Sequence, residues 1–213
     1  MVERPIRVLL AEDHRVVREG LCRLLADQDD MRVVAEASDG QEAIELAEAK
    51  GPDVVVMDVG LPGLNGIEAS RRLQRTRPDI RVVILTMHDD ATTVDRALRA
   101  GARGFVMKGR GVETLCEAIR TVHRGEVYLS PEVSDYVVQG YLSGANPEQD
   151  PLTEREREVL QLVAEGYTSD EIAERTGLRP KTVRNYRTAI MDKLSIHTTA
   201  GLVRYALRHG IAT

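Results

Sequence analysis

Cysteine is scarce in this 213-residue chain, which has only Cys22 and Cys116. Two thiols cannot build a disulfide framework, and their separation matches no metal-ligand spacing, so a reducing compartment is expected. Both fall in amphipathic helical patterns and read as core or half-buried thiols. Long apolar runs are also missing: no stretch approaches the roughly 18 residues of a membrane span. The opening "MVERPIRVLLAED" has too short an apolar run for a signal peptide. A soluble cytoplasmic protein without membrane attachment is the expectation.

An excess of positive charge is lacking too. The 34 acidic and 29 basic residues leave a net charge of −5, which argues against nucleic-acid binding by the whole surface. The distribution is more informative. Residues 1–125 hold 19 basic and 21 acidic residues, 126–150 hold five acids and no Lys or Arg, and 151–213 hold 10 basic and 8 acidic. Within the last segment Arg179, Lys181, Arg184, Arg187 and Lys193 face only Asp192. A basic segment on an acidic chain points to a localised anionic partner.

What is present is an alternation of short apolar runs and amphipathic stretches. Strands are predicted at 6–11, 32–37, 53–58, 81–86 and 104–107, and helices at 15–27, 39–50, 66–76, 91–100 and 112–125. In the first helix Val16, Leu21, Leu24 and Leu25 are expected to share the buried face. Strict β/α alternation implies a flavodoxin-like, doubly wound parallel sheet of five strands, order 2-1-3-4-5, with helices on both faces. Residues 126–150 read as a linker ending in "SGANPEQDP", with "PEVSDYVVQGYL" a possible helix. From 151 the periodicity is wholly helical, over 153–166, 168–177, 179–195 and 199–210, giving a small all-α second domain.

The run "VVVMD" stops on Asp58 and dissolves into "VGLPGLNG". An aspartate there can simply cap a turn. It can also sit in the crevice at the carboxyl edge of an open α/β sheet, where ligands bind. Glu12 and Asp13 end the first strand, next to the third in this order, so three carboxylates converge. Crowded acids are resolved by a hard cation such as Mg²⁺. Thr86 and Lys108, at the ends of strands four and five, add a hydroxyl and an ammonium, completing a set suited to a phosphoryl group with Asp58 as nucleophile. A phosphatase working through a phospho-aspartate would want a second acid two positions on, where this chain has Gly60.

These residues carry a resemblance. "LLAED", "VVVMDVGLPGLNGIE", "VVILTMHDD" and "GARGFVMKG" resemble, in order and spacing, the receiver domain of bacterial two-component response regulators. The resemblance implies Asp58 as phosphoacceptor, a Mg²⁺ site from Glu12, Asp13, Asp58 and the Gly60 carbonyl, Thr86 as switch hydroxyl, Lys108 as phosphate partner and Phe105 as switch aromatic. Phe105 has no hydroxyl, so any switch there rests on packing. Gly109 follows Lys108 where many receivers have proline. Gly60 and His88 occupy positions that in this family tune phosphate lifetime.

"LTEREREVLQLVAEGYTSDEIAERTGLRPKTVRNYRTAIMDKL" is similar to the helix-turn-helix of NarL/LuxR-type regulators. Independently of that, Thr153 and Glu156 have capping-box spacing, Gly166 ends a helix, and Gly177 lies in a turn between helices packed by Ile172, Ala173, Leu178 and Val183. On the third helix Lys181, Arg184, Asn185 and Thr188 share a face while Val183 and Ile190 point inward. The candidate DNA-contacting set is Lys181, Thr182, Arg184, Asn185, Arg187 and Thr188. Arg and Asn suit guanine and adenine edges, and Arg187 and Lys193 either meet phosphates or are simply solvated. In the last helix Leu202, Val203, Ala206 and Leu207 fit either core or a subunit contact.

The organisation implied is a receiver over 1–125, a linker over 126–150 and a helix-turn-helix over 151–213. The function implied is a regulator rather than an enzyme: a sensor histidine kinase phosphorylates Asp58 with Mg²⁺, and a homodimer binds double-stranded DNA. The alternative is an atypical regulator whose receiver is a dimerisation platform that is never phosphorylated.

Overall fold

The computed structural model describes residues 4–87, 91–131, 133–134 and 151–212. His88, and most of the helix predicted from 131, lie outside the described residues. The chain divides into two compact units, residues 1–144 and 145–213.

The first unit alternates strand and helix in order. They are β1 (Ile6–Ala11), α1 (Arg15–Ala26), β2 (Met31–Ala37), α2 (Gly40–Lys50), β3 (Val54–Asp58), α3 (Gly66–Thr76), β4 (Arg81–Thr86), α4 (Ala91–Arg99), β5 (Gly104–Met107), α5 (Val112–His123) and β6 (Tyr128–Leu129). The sheet is parallel throughout, in the order β2-β1-β3-β4-β5-β6. The predicted order 2-1-3-4-5 is present, extended by a two-residue sixth strand inside the stretch read as linker. Tyr128 and Leu129 pair with Gly104 and Phe105, and the Ser130 N–H donates to the Phe105 carbonyl at 3.2 Å.

Two apolar layers flank the sheet because strand side chains alternate between faces. On one side Leu9, Val55, Met57, Ile84 and Phe105 pack against Ala43, Ile67, Leu73 and Ala97 of α2, α3 and α4. On the other Val8, Leu10, Val56, Leu85 and Val106 pack against Leu25 of α1 and Leu115, Ile119 and Val122 of α5. Helix α1 departs from its predicted face. Leu25 is its sole fully buried side chain and Leu21 and Cys22 are half-buried, whereas Val16 (83% exposed), Val17 and Leu24 face outward. The helix rests on the sheet by a narrow stripe of Leu21, Cys22 and Leu25.

The second unit comprises α6 (Glu154–Ala164), α7 (Ser169–Thr176), α8 (Pro180–Leu194) and α9 (Thr199–Arg208). Its core joins Val159, Leu160, Ile172, Ala173, Val183, Ile190, Leu202 and Ala206. Capping boxes open both α6, from Thr153 and Glu156, and α7, from Thr168 and Glu171. Gly177 follows α7 in a left-handed conformation, φ 67°, which an L side chain adopts only with strain. Among the described residues no helix is long and apolar enough to cross a membrane.

Candidate functional site

The predicted polar residues of the first unit's site are delivered by strand ends. Asp58 is the last residue of β3, Thr86 the last of β4, Glu12 follows β1, and Lys108 follows β5. Backbone bonds continue the ladder past the strands: the Glu12 N–H donates to Ala37 at 3.0 Å and the Lys108 N–H to Thr86 at 2.7 Å. The four side chains therefore share one edge of the sheet.

The turn residues after Asp58 answer a steric demand. A Cβ built on Gly66 would lie 1.9 Å from the Asp58 carbonyl oxygen, so only glycine lets α3 begin this close to the end of β3. Gly66 donates its N–H to Val59 at 3.0 Å, Asn65 caps α3 by accepting from the Glu68 N–H at 2.9 Å, and Gly63 takes φ 73°. "LPGLNG" is thus the sequence of a tight return that brings the start of α3 against the strand end.

Lys108 is the electrostatic hub. Its Nζ lies 2.7 Å from Glu12 Oε2 and 2.9 Å from Asp58 Oδ2. Glu12 is fully buried and Asp58 is 6% exposed, so two carboxylates in a low-dielectric crevice share one ammonium. Burial pushes the Asp58 carboxyl above its usual range; the Lys108 hydrogen bond and charge oppose this, Glu12 adds to it, and the Gly60 backbone N–H lowers it slightly. Burial would lower Lys108, but its two carboxylate partners hold it above its ordinary value.

Asp13 is half-exposed beside Glu12, and its Oδ1 is sheltered from solvent without a hydrogen bond. Acceptor oxygens left over in a crowd of acids fit a hard divalent cation. Among the described residues, the donor atoms brought within 4.8 Å of one another are those of Glu12, Asp13 and His14, while Asp58 ends the neighbouring strand. Thr86 is buried at 1% exposure, next to Asp58 through the register Asp58 to Leu85. Phe105 is wholly buried in the α2–α4 layer, paired with Ile84 on β4 and Leu129 on β6. Gly109 takes φ 89°, out of reach of proline, so the chain leaves Lys108 along a path for which glycine is suited.

In the second unit the predicted polar face of α8 is present. Lys181, Arg184, Asn185 and Thr188 are exposed, while Val183 and Ile190 are fully buried. Thr182 is half-buried. Arg187 differs from its neighbours: half-buried, it donates to the Ser169 hydroxyl at 3.3 Å and the Thr199 hydroxyl at 3.4 Å, linking the starts of α7 and α9. Arg184 has an acidic neighbour, Asp170, at 4.0 Å. In α9 Leu202 and Ala206 belong to the core, Val203 is half-buried and Leu207 is 47% exposed.

Sequence reading passed over two features of these sites. His14 contacts both Asp13 and Glu12, and its position directly after an acidic pair was the available signal. The capping box of α7 repeats the Thr-x-x-Glu spacing seen at 153–156.

Each unit matches a known protein family. The response regulator receiver domain matches residues 8–120, and the bacterial regulatory proteins of the luxR family match residues 150–206. Response regulator GacA of Pseudomonas aeruginosa is 39% identical over 211 residues, 97% of each chain. Oxygen regulatory protein NreC of Staphylococcus carnosus is also 39% identical, over 95% of this chain and 97% of its own. The solved complex of the two-component response regulator RcsB with DNA has a TM-score of 0.60 at 25% identity, covering 97% of this chain and 99% of that one. Full-length similarity of this order removes the phosphatase alternative, and the chain belongs to the two-component response regulators, transcription regulators that join a receiver domain to a LuxR-type helix-turn-helix.

Proposed function

We propose that this chain is a phosphorylation-controlled DNA-binding regulator in which Asp58 accepts a phosphoryl group from a sensor histidine kinase. The observation that carries the reading is Lys108 Nζ held between Glu12 and Asp58. An ammonium at that place can follow a phosphoryl oxygen on Asp58 while remaining paired to Glu12. In the transfer an Asp58 carboxylate oxygen forms a bond to phosphorus as the donor's phosphorus–nitrogen bond breaks, and the imidazole leaves with its electron pair. Thr86, ending the adjacent strand, is the hydroxyl that would hold an equatorial oxygen. Glu12, Asp13, Asp58 and the Gly60 carbonyl would hold Mg²⁺, which supplies the positive charge that incoming phosphate oxygens require.

The output follows from the second unit. Lys181, Thr182, Arg184, Asn185 and Thr188 would meet DNA in the major groove, with Arg184 and Asn185 on base edges. Arg187, held by Ser169 and Thr199, suits a phosphate. The likeness to a DNA-bound regulator supports this use of α8. Dimerisation on phosphorylation would join two weak modules and raise their affinity through effective concentration. Receiver, connecting stretch and helix-turn-helix are assigned to 1–125, 126–150 and 151–213, and the cytoplasm is where kinase output and DNA meet.

The test is incubation with acetyl phosphate and Mg²⁺ followed by intact mass measurement. Wild type should gain one phosphoryl group and Asp58→Asn none; equal labelling of both would overturn the assignment, and no labelling of wild type would favour the non-phosphorylated platform.

A further inference from the structure

We propose that His14 is a protein ligand of the receiver's cation site, which gives this chain a site for first-row transition ions such as Mn²⁺ or Ni²⁺ beyond its capacity for Mg²⁺. The inference rests on the reading above that Glu12 and Asp13 hold a cation.

Geometry carries it. One donor atom each from Glu12, Asp13 and His14 lie within 4.8 Å of one another. His14 Nδ1 is 2.7 Å from Asp13 Oδ1 and 3.2 Å from Glu12 Oε1. An octahedral ion with bonds of about 2.1 Å has ligand-to-ligand edges of about 3.0 Å, so both separations have the size of such an edge. Asp13 Oδ1 has no hydrogen bond although the imidazole nitrogen is in contact with it. Nδ1 is also at hydrogen-bond distance from Glu12 Oε1, so one ring nitrogen faces both carboxylates, as a shared ligand of one ion does.

The position of His14 holds its ring nitrogen against the acidic pair, with Nδ1 in hydrogen-bond contact with Glu12 Oε1. His14 is the N-cap of α1, yet its side chain caps nothing. Its backbone N–H donates to Glu12 Oε1 at 3.2 Å, which holds the residue against the acidic pair, while the side chain is 71% exposed and leaves room for water ligands. Lys108 takes the opposite oxygen, Glu12 Oε2. Ammonium and ion thus use different oxygens of Glu12 and can be present together.

The chemistry then sets the preference. Mg²⁺ is an oxygen-seeking ion, whereas an imidazole nitrogen favours transition ions along the series from Mn²⁺ to Ni²⁺. Removing His14 should therefore act on one class of ion and spare the other.

The experiment uses the full, untagged chain and the variant His14→Ala, titrated calorimetrically with Mg²⁺, Mn²⁺ and Ni²⁺. The variant should bind Ni²⁺ about tenfold or more weakly and Mn²⁺ less so, with Mg²⁺ affinity unchanged. Broadening of the His14 ring-proton resonances by substoichiometric Mn²⁺ should accompany binding to wild type. Mg²⁺ uptake with equal Ni²⁺ affinity in the two proteins would overturn the role of His14 alone. Failure of wild type to take up any of the three ions would overturn the cation site itself, and this inference with it.

Discussion

Lys193 Nζ lies 2.7 Å from Glu156 Oε2, tying the last turn of α8 to the first turn of α6. The same carboxylate oxygen accepts from the Thr153 N–H at 2.7 Å and hydroxyl at 2.8 Å. A capping box and an interhelical ion pair thus meet on one atom. Lys193→Ala removes a charged hydrogen bond whose lysine end is 39% exposed, and solvent screening at that end holds the loss to about 1 kcal/mol. Faster hydrogen exchange in both α6 and α8 of the full chain is the expected readout.

Glu156 also makes the second unit sensitive to acid. Burial opposes its ionisation, but Lys193, the Thr153 N–H and the Thr153 hydroxyl outweigh burial and leave its pKa below the ordinary 4.5. A carboxyl depressed on folding contributes stability that is full above its unfolded pKa and is lost as pH falls through the folded value. Exchange protection of α6 should therefore hold from pH 7 down to about pH 5 and then decline. In Glu156→Gln it should be lower at pH 7, and the gap to wild type should narrow in acid.

Gly66→Ala should destabilise the receiver far more than a helix-start alanine normally does. The added methyl meets the Asp58 carbonyl, and Met57 Cγ lies 2.8 Å away, so β3 or α3 must move. A cost of about 3 kcal/mol is expected from overpacking against backbone, measured as a fall in the urea midpoint of the receiver transition.

On α8, Arg184→Ala or Asn185→Ala should each cost about 1–3 kcal/mol at one operator position and relax preference there. Arg187→Ala should weaken binding to all sequences alike, and it should also loosen the starts of α7 and α9, whose Ser169 and Thr199 hydroxyls it engages. Binding-site selection on randomised DNA separates these effects. Unchanged sequence preferences for both Arg184→Ala and Asn185→Ala would place the wrong face of α8 in the groove.

Strand ends were the most legible part of the chain. Asp58, Thr86 and Lys108 each stand where an apolar run meets turn formers, and a sheet can bring such points together in few ways. Helix α8 was legible for a related reason, because Val183 and Ile190 fix its inner face and the charges follow. Periodicity failed at α1, where Val16 and Leu24 fit an apolar stripe but the helix touches the sheet through a narrower one. Apolar spacing reports which residues could face a core, not how wide the contact is. Strand β6 was out of reach because two residues carry no alternation. The contacts of Arg187 depend on neighbours brought by folding, Ser169 and Thr199, which spacing alone does not specify.

The sixth strand has a mechanical consequence. Leu129 is paired to Phe105 and the Ser130 N–H is bonded to the Phe105 carbonyl, while Val133, one turn of chain later, is buried in the same apolar layer as the Phe105 ring. The residue that leads the chain out of the sheet is therefore fastened to the backbone and packed beside the side chain of one aromatic. A sideways step of β5 pulls on the outgoing chain as a hem pulls on the thread sewn through it. The start of the outgoing chain is thus coupled to β5 by backbone hydrogen bonds and side-chain packing at the same place.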